Sequence, residues 1–156
     1  MDLRRAARDP WVWGQLLLLV AIGLCAPRMP RWLTIAAPGP AYMRGLGGVM
    51  LLCGAAIALW SARTLGRSLT PGTEPLAGVP LVTAGPYGYV RHPIYLGIVL
   101  LCAGYALLWS NVIVALAVGA VVWLYFEGKA RAEERWLMER YPDYKEYMRR
   151  VRHRVV

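Results

Sequence analysis

The amino-acid sequence predicts an all-α integral membrane protein with about four transmembrane helices, and three observations carry that prediction. Hydrophobic residues make up 58% of the 156-residue chain and the mean hydropathy is +0.40, values unusual for a soluble domain and ordinary for a small membrane protein. The apolar residues gather in four runs separated by Pro, Gly and charged residues. Seven Trp and nine Tyr accompany a single Phe, a bias expected of rings that lie at a membrane–water boundary. The length suits a single domain over residues 1–156.

The first run, WVWGQLLLLVAIGLCA from Trp11 to Ala26, follows Arg4, Arg5 and Arg8 and is stopped by Pro27 and Pro30. Its end, CAPRMPRW, has no clean small-x-small cleavage site, so it reads as a retained span rather than a signal peptide. The second run, Leu46 to Ala62, is rich in Gly and Ala, with Gly47, Gly48 and Gly54 placed to line a close helix contact. The third runs from Ile94 to Trp109 and the fourth from Val112 to Phe126. Only Ser110 and Asn111 separate these two, which requires a tight antiparallel hairpin. Each run is somewhat short of the ~20 residues that cross ~30 Å of hydrocarbon. Trp11, Trp13, Trp60, Trp109 and Trp123 near the run ends extend the spans into the interface. Short buried helices of a soluble protein are the rival reading, and four such runs in one small chain argue against it.

Beyond Phe126 the chain changes character without a breaker. Helix formers continue to Pro142, so the fourth helix leaves the membrane and reaches about Tyr141. A short amphipathic helix then follows, with Tyr141, Tyr144 and Tyr147 buried and Lys145, Arg149 and Arg150 toward lipid headgroups. The Pro- and Gly-rich stretch from Arg67 to Pro93 is too long for an idle connection. Its LVTAGPYGYV portion is too apolar for a disordered linker, so it is expected to fold back on the bundle.

Net charge is +9, which alone would suit nucleic acid or anionic lipid. Beside four apolar runs the partner is lipid, and nucleic acid is set aside. Three basic residues precede the first run, Arg63, Arg67 and Arg91 lie between the second and third, and nine follow from Lys129 onward. The other side keeps only Arg28, Arg31 and Arg44. Both termini are therefore expected in the cytoplasm, in the plasma (inner) membrane if the source is bacterial. Cys25, Cys53 and Cys102 each lie inside an apolar run and read as packing residues. No metal-ligand spacing exists, and no metal is expected.

Two clusters carry chemistry. In Arg91-His92-Pro93, Pro93 suits the first turn of a helix and holds His92 extended just outside it. Free N–H groups, the helix dipole and Arg91 would together suit an anion there; the plainer reading is an arginine snorkelling to lipid phosphate beside a capping histidine. Tyr95 and Gly97 follow in the first turns, the glycine allowing a close approach to the backbone. Glu133 and Glu134 are adjacent on the fourth helix and point about 100° apart. An ordinary solvated face with Lys129–Glu133 and Glu127–Arg131 pairs is the plainer reading here. The hairpin, however, returns both clusters to one membrane face. A ligand with a carboxylate, an ammonium, a sulfonium and an aromatic base would suit such a cleft, and S-adenosylmethionine is one.

The order LVTAGPYGYVRHPIYLG, a two-span hairpin, EE and YPDYKEYMRRV, from about Pro80 to Val151, resembles the isoprenylcysteine carboxyl methyltransferase family, grouped with the membrane phospholipid methyltransferases. The resemblance implies an S-adenosylmethionine-dependent membrane methyltransferase, with a cytoplasmic cofactor-binding region over about 80–156 and a C-terminal helical extension. It implies cofactor contacts at Pro80, Leu81, Val82, Tyr87, His92, Pro93, Ile94, Tyr95 and Glu133. Glu134 completes the acidic pair, and Lys129, or else Arg131, would approach the substrate beside Arg91. The acceptor would be lipophilic and enter from the bilayer, most simply as a carboxylate of an isoprenylcysteine-like lipid, which needs no base. No residue stands out as a catalytic base. Phosphatidylethanolamine N-methylation and a non-enzymatic membrane scaffold are the rival functions.

Overall fold

The computed structural model describes residues 8–28, 41–70, 72–74, 78–109 and 112–155, and these hold no β-strand. The helices are α1 (Pro10–Cys25), α2 (Ala41–Leu65), α3 (Pro93–Trp109), α4 (Val112–Arg140) and α5 (Tyr144–Arg150). Short 3-10 turns follow α1 and α2, and a third, Gly85–Gly88, precedes α3. By length and composition α1, α2 and α4 are apolar enough to cross a membrane, while α3 is a shorter apolar helix. Its 17 residues reach about 25 Å at 1.5 Å per residue.

Local chemistry explains the boundaries. Asp9 caps α1, its Oδ1 accepting the Trp11 N–H at 2.9 Å, and Pro10 occupies the first helical turn. The second helix is longer than its apolar run because Ala41–Gly45 and Arg63–Leu65 are compatible with helix. It stops at Gly66, whose φ of +52° is a left-handed conformation that glycine adopts without a Cβ clash. As the sequence predicts, α4 runs unbroken well past Phe126 to Arg140, and a short helix with Tyr144 and Tyr147 buried follows Pro142.

The centre of the bundle is a glycine seam between α2 and α3. A Cβ on Gly54 would lie 2.7 Å from the Gly97 carbonyl oxygen, and one on Gly47 would lie 2.9 Å from that of Gly104. The pairs 47/104 and 54/97 are one antiparallel register, two turns apart, in which only glycine permits backbone contact. The close partner of Gly97 is thus α2. Gly48 faces open space and takes no part.

On its other side α3 runs antiparallel to α4: the Tyr95 and Phe126 rings are 4.6 Å apart, and Gly119 faces Ala103. The Ser110-Asn111 turn, Arg4, Arg5 and Arg31 lie outside the described residues. The core gathers Tyr95, Cys102, Val122, Phe126, Ala130 and Val155. Of the three cysteines only Cys102 packs there; Cys25 and Cys53 are exposed on the apolar outer surface of the bundle. Helix α1 has no buried residue and presents Leu17 and Val20 outward, as suits a lipid-facing helix.

The seam yields a test. Gly97→Ala should lower stability by about 1–3 kcal/mol, because its Cβ meets backbone that cannot rotate away. Gly48→Ala should leave stability unchanged or slightly raised. Unfolding of the two variants in detergent micelles measures the difference.

Candidate functional site

A cavity of about 360 Å³ opens where the start of α3, the polar end of α4, the start of α1 and the loop after α2 converge. Its walls include Pro80, Leu81, Val82, Tyr87, His92, Ile94, Tyr95 and Glu133, all expected from sequence as cofactor contacts. Pro93 is fully buried in the first turn of α3 and does not line it.

The loop wall is held by tyrosines. The Tyr141 hydroxyl donates to the Val79 carbonyl at 2.8 Å and that of Tyr147 to the Tyr87 carbonyl at 2.7 Å. Gly85, with φ +59°, turns this loop against Thr64 of α2. Tyr144 and Tyr147 pack with Leu81, Leu137 and Tyr141. Burial pushes the Tyr87 hydroxyl far above its ordinary value and that of Tyr147 up to about 12, so this wall is neutral and aromatic.

Glu133 and Glu134 have separate surroundings. Glu133 faces the cavity. Its Oε1 accepts a short hydrogen bond from the Tyr95 hydroxyl, and its Oε2 lies 3.2 Å from His92 Nδ1. The His92 and Tyr95 rings stack with centroids 5.3 Å apart. Glu134 is 3% exposed and turned away from the cavity. Its Oε1 accepts from Arg91 Nε at 2.7 Å, and its Oε2 accepts from Arg154 Nε at 2.8 Å. His92 Nε2 faces Glu134 Oε1 at 3.5 Å and is buried without a hydrogen-bond partner. Burial opposes protonation of His92, but the carboxylates of Glu133 and Glu134 outweigh it and raise its pKa above 6.5.

Two readings from sequence change here. The start of α3 is not an open anion site. The Arg91 N–H donates to the His153 carbonyl at 3.0 Å and the His92 N–H to that of Arg154 at 2.8 Å. The Arg91 guanidinium, beyond Glu134, donates to the carbonyls of Val151 and Arg152 at 2.6 and 2.8 Å. Segment 151–155 is therefore a strap that consumes these donors, and Val155 behind it is fully buried in the core. Arg91 and Glu134, expected as substrate contacts, are committed to this clamp. Arg131 is 65% exposed, pairs with Glu127 and lies outside the cavity. Arg91 borders the cavity with its guanidinium already occupied, and Lys129 lines it too, 1% exposed, with Nζ 2.8 Å from Gln15 Oε1 and 5.5 Å from the Tyr95 ring centroid.

Sequence reasoning missed Gln15, Arg154 and the side of the cavity formed by Ser68, Leu69, Thr70, Gly72 and Thr73. Asp9 Oδ2 accepts from the Thr73 N–H and hydroxyl at 2.6 and 2.8 Å, which ties the α1 cap to that loop. A glutamine inside an otherwise apolar run was the one local signal available.

Two outcomes follow from the clamp. Glu134→Ala leaves the buried Arg91 uncompensated and should cost about 3–5 kcal/mol, whereas Arg131→Ala on the surface should be near neutral; denaturation in micelles compares them. A raised His92 pKa means its ion pairs stabilise fully below pH 6.5 and fade as pH rises through the folded-state value. Stability should therefore fall as pH rises above 6.5 in the wild type, and His92→Gln should flatten that slope.

Residues 42–144 match the family model described as phospholipid methyltransferase. Among known proteins, the protein-S-isoprenylcysteine O-methyltransferase of Schizosaccharomyces pombe is 36% identical over 72 residues, 46% of this chain and 30% of the relative. Protein-S-isoprenylcysteine O-methyltransferase B of Arabidopsis thaliana is 31% identical over 113 residues, 70% of this chain and 57% of the relative. The cobalt-zinc-cadmium resistance protein CzcN of Cupriavidus metallidurans is 33% identical over 71 residues, 46% of this chain and 33% of the relative. The matches thus span from about a third to just over half of these relatives' length.

Proposed function

The chain belongs to the phospholipid methyltransferase family, and from that premise we propose that it is a membrane methyltransferase that uses S-adenosylmethionine and methylates the carboxylate of a lipophilic acceptor. The observation that carries the reading is the cavity itself, with a neutral tyrosine wall, a carboxylate at Glu133 and a buried ammonium at Lys129.

The residues fit the cofactor's chemistry. A volume of about 360 Å³ is within the range of small-molecule sites. Tyr87, Tyr141, Tyr144 and Leu81 offer flat and apolar walls for an adenine, and tyrosine faces attract a sulfonium. Glu133, held by Tyr95 and His92, can accept from ribose hydroxyls or an ammonium. The His92 ring lines the same wall and holds Glu133 through Nδ1. When bound, S-adenosylmethionine supplies an electrophilic methyl group and leaves as S-adenosylhomocysteine.

The chain's own part is alignment and exclusion of water. Apolar and aromatic residues dominate the cavity lining, and a water-poor site favours a transfer in which charge on sulfur disappears. Holding the two reactants in line supplies most of the remaining advantage. A carboxylate is already a nucleophile at neutral pH, so no base is required. The Lys129 charge favours such an anionic acceptor over an ammonium one. Phosphatidylethanolamine N-methylation, which the family description favours, would need a deprotonated amine beside that lysine.

Arg67 after α2, Arg91 before α3, and Arg131 and Arg135 in the polar part of α4 belong to the end of the bundle that holds the cavity, which supports a cytoplasmic reading of this end and of both termini. The acceptor then enters from the bilayer and the cofactor from the cytoplasm.

Calorimetry of S-adenosylhomocysteine binding to the detergent-purified protein tests the reading. We expect saturable binding, weakened at least tenfold by His92→Ala and Glu133→Ala. Incubation with an S-isoprenylcysteine or with phosphatidylethanolamine, followed by product analysis, separates the two acceptors. A folded wild type that binds no S-adenosylhomocysteine would overturn the enzyme and leave the membrane scaffold.

A further inference from the structure

Helix α1 carries one polar side chain within PWVWGQLLLLVAIGLC, Gln15. An amide in a membrane helix is costly unless it is paired or lines a polar space. Gln15 does both: it lines the cavity, and its Oε1 accepts from Lys129 Nζ at 2.8 Å. The amide orientation follows from chemistry, since a lysine ammonium has only donors and the glutamine must show it oxygen. The amide N–H pair is then on the other edge of a side chain that borders the cavity.

Aromatic contacts fix α1 against α4 at this point. Trp11 packs edge-on against Tyr125 with centroids 5.5 Å apart, and the Tyr125 hydroxyl donates a short hydrogen bond to the Trp11 carbonyl. The Trp11 ring would meet a Cβ on Gly128 at 3.0 Å, so α1 sits directly on this stretch of α4. One turn of α4 beyond Lys129, Glu133 and its partner Tyr95 begin the wall assigned to the cofactor.

We propose that Gln15 is a specificity-determining residue that, with Lys129, reads the carboxylate of the methyl acceptor. The inference rests on the methyltransferase reading above and adds to it a recognition residue outside the family-matched region 42–144. The Gln15 N–H group donates to one carboxylate oxygen, and the Lys129 charge favours the anion. The ammonium group of an amine acceptor offers no oxygen to the amide and is repelled by the lysine. A site built around such a donor rejects an analogue that cannot pair with it.

The test uses the full-length protein saturated with S-adenosylhomocysteine, and N-acetyl-S-farnesylcysteine and its uncharged carboxamide as probes. The wild type should bind the carboxylate at least tenfold more tightly than the carboxamide, about the worth of one hydrogen bond to a charged group. Gln15→Leu should weaken the carboxylate about tenfold and narrow that preference. Gln15→Glu should abolish carboxylate binding by repulsion and by neutralising Lys129. A cooperative unfolding transition and saturable S-adenosylhomocysteine binding retained in both variants show that the fold and cofactor wall are intact. A carboxylate preference left undiminished by Gln15→Leu, or a cofactor-loaded wild type that does not prefer the carboxylate, overturns the inference and leaves the cofactor reading standing. Loss of S-adenosylhomocysteine binding by the wild type overturns the cofactor reading and the inference with it.

Discussion

The buried pair between Arg91 and Glu134 is the contact on which the site depends. Removing two charges from water is expensive, and their mutual attraction offsets that cost only when the remaining donors and acceptors are also met. Here they are met from one segment. The carbonyls of Val151 and Arg152 take the Arg91 guanidinium, and Arg154 takes the second oxygen of Glu134. The same segment occupies the backbone N–H groups of Arg91 and His92. The start of α3, the polar end of α4 and the 151–155 strap therefore form one unit, and none is satisfied without the other two.

That unit frees its neighbours for chemistry. Consecutive residues on a helix diverge by about 100°, so with Glu134 locked behind the wall, Glu133 must turn toward the cavity. The same geometry presents His92 beside it, one ring stacked on Tyr95. Charge is spent on structure on one side of α4, and Glu133, with His92 and Tyr95, is left facing the cavity on the other.

The cavity has two chemically different ends. The tyrosines near α5 pin the 79–87 loop through its carbonyls and make a neutral aromatic wall. Lys129 and Gln15 lie at the α1 side, where the helix is otherwise lipid-facing. A polar cofactor at the first end and the head of a lipophilic acceptor at the second match this asymmetry. The glycine seam between α2 and α3 keeps the bundle tight beneath both, because backbone contact leaves no side chain to shift.

Much of this was legible in the sequence alone: four apolar runs, the long extension of α4, the tyrosine face of α5, and most of the lining residues between Pro80 and Glu133. Those features repeat along one helix or follow one motif, and periodicity and turn chemistry are local signals. The glycines of α2 announced a close contact, though not that Gly97 would complete it. Only the tertiary structure decided that Arg91 is a clamp rather than an anion site, that Arg131 stands outside, and that Gln15 meets Lys129. The clamp and the Gln15–Lys129 pair join residues 43 and 114 apart, brought together by helix packing, and such pairings leave no pattern in the chain between them. The sequence determined which residues could carry charge into an apolar bundle; the fold decided which of those charges are consumed by one another and which still face the cavity.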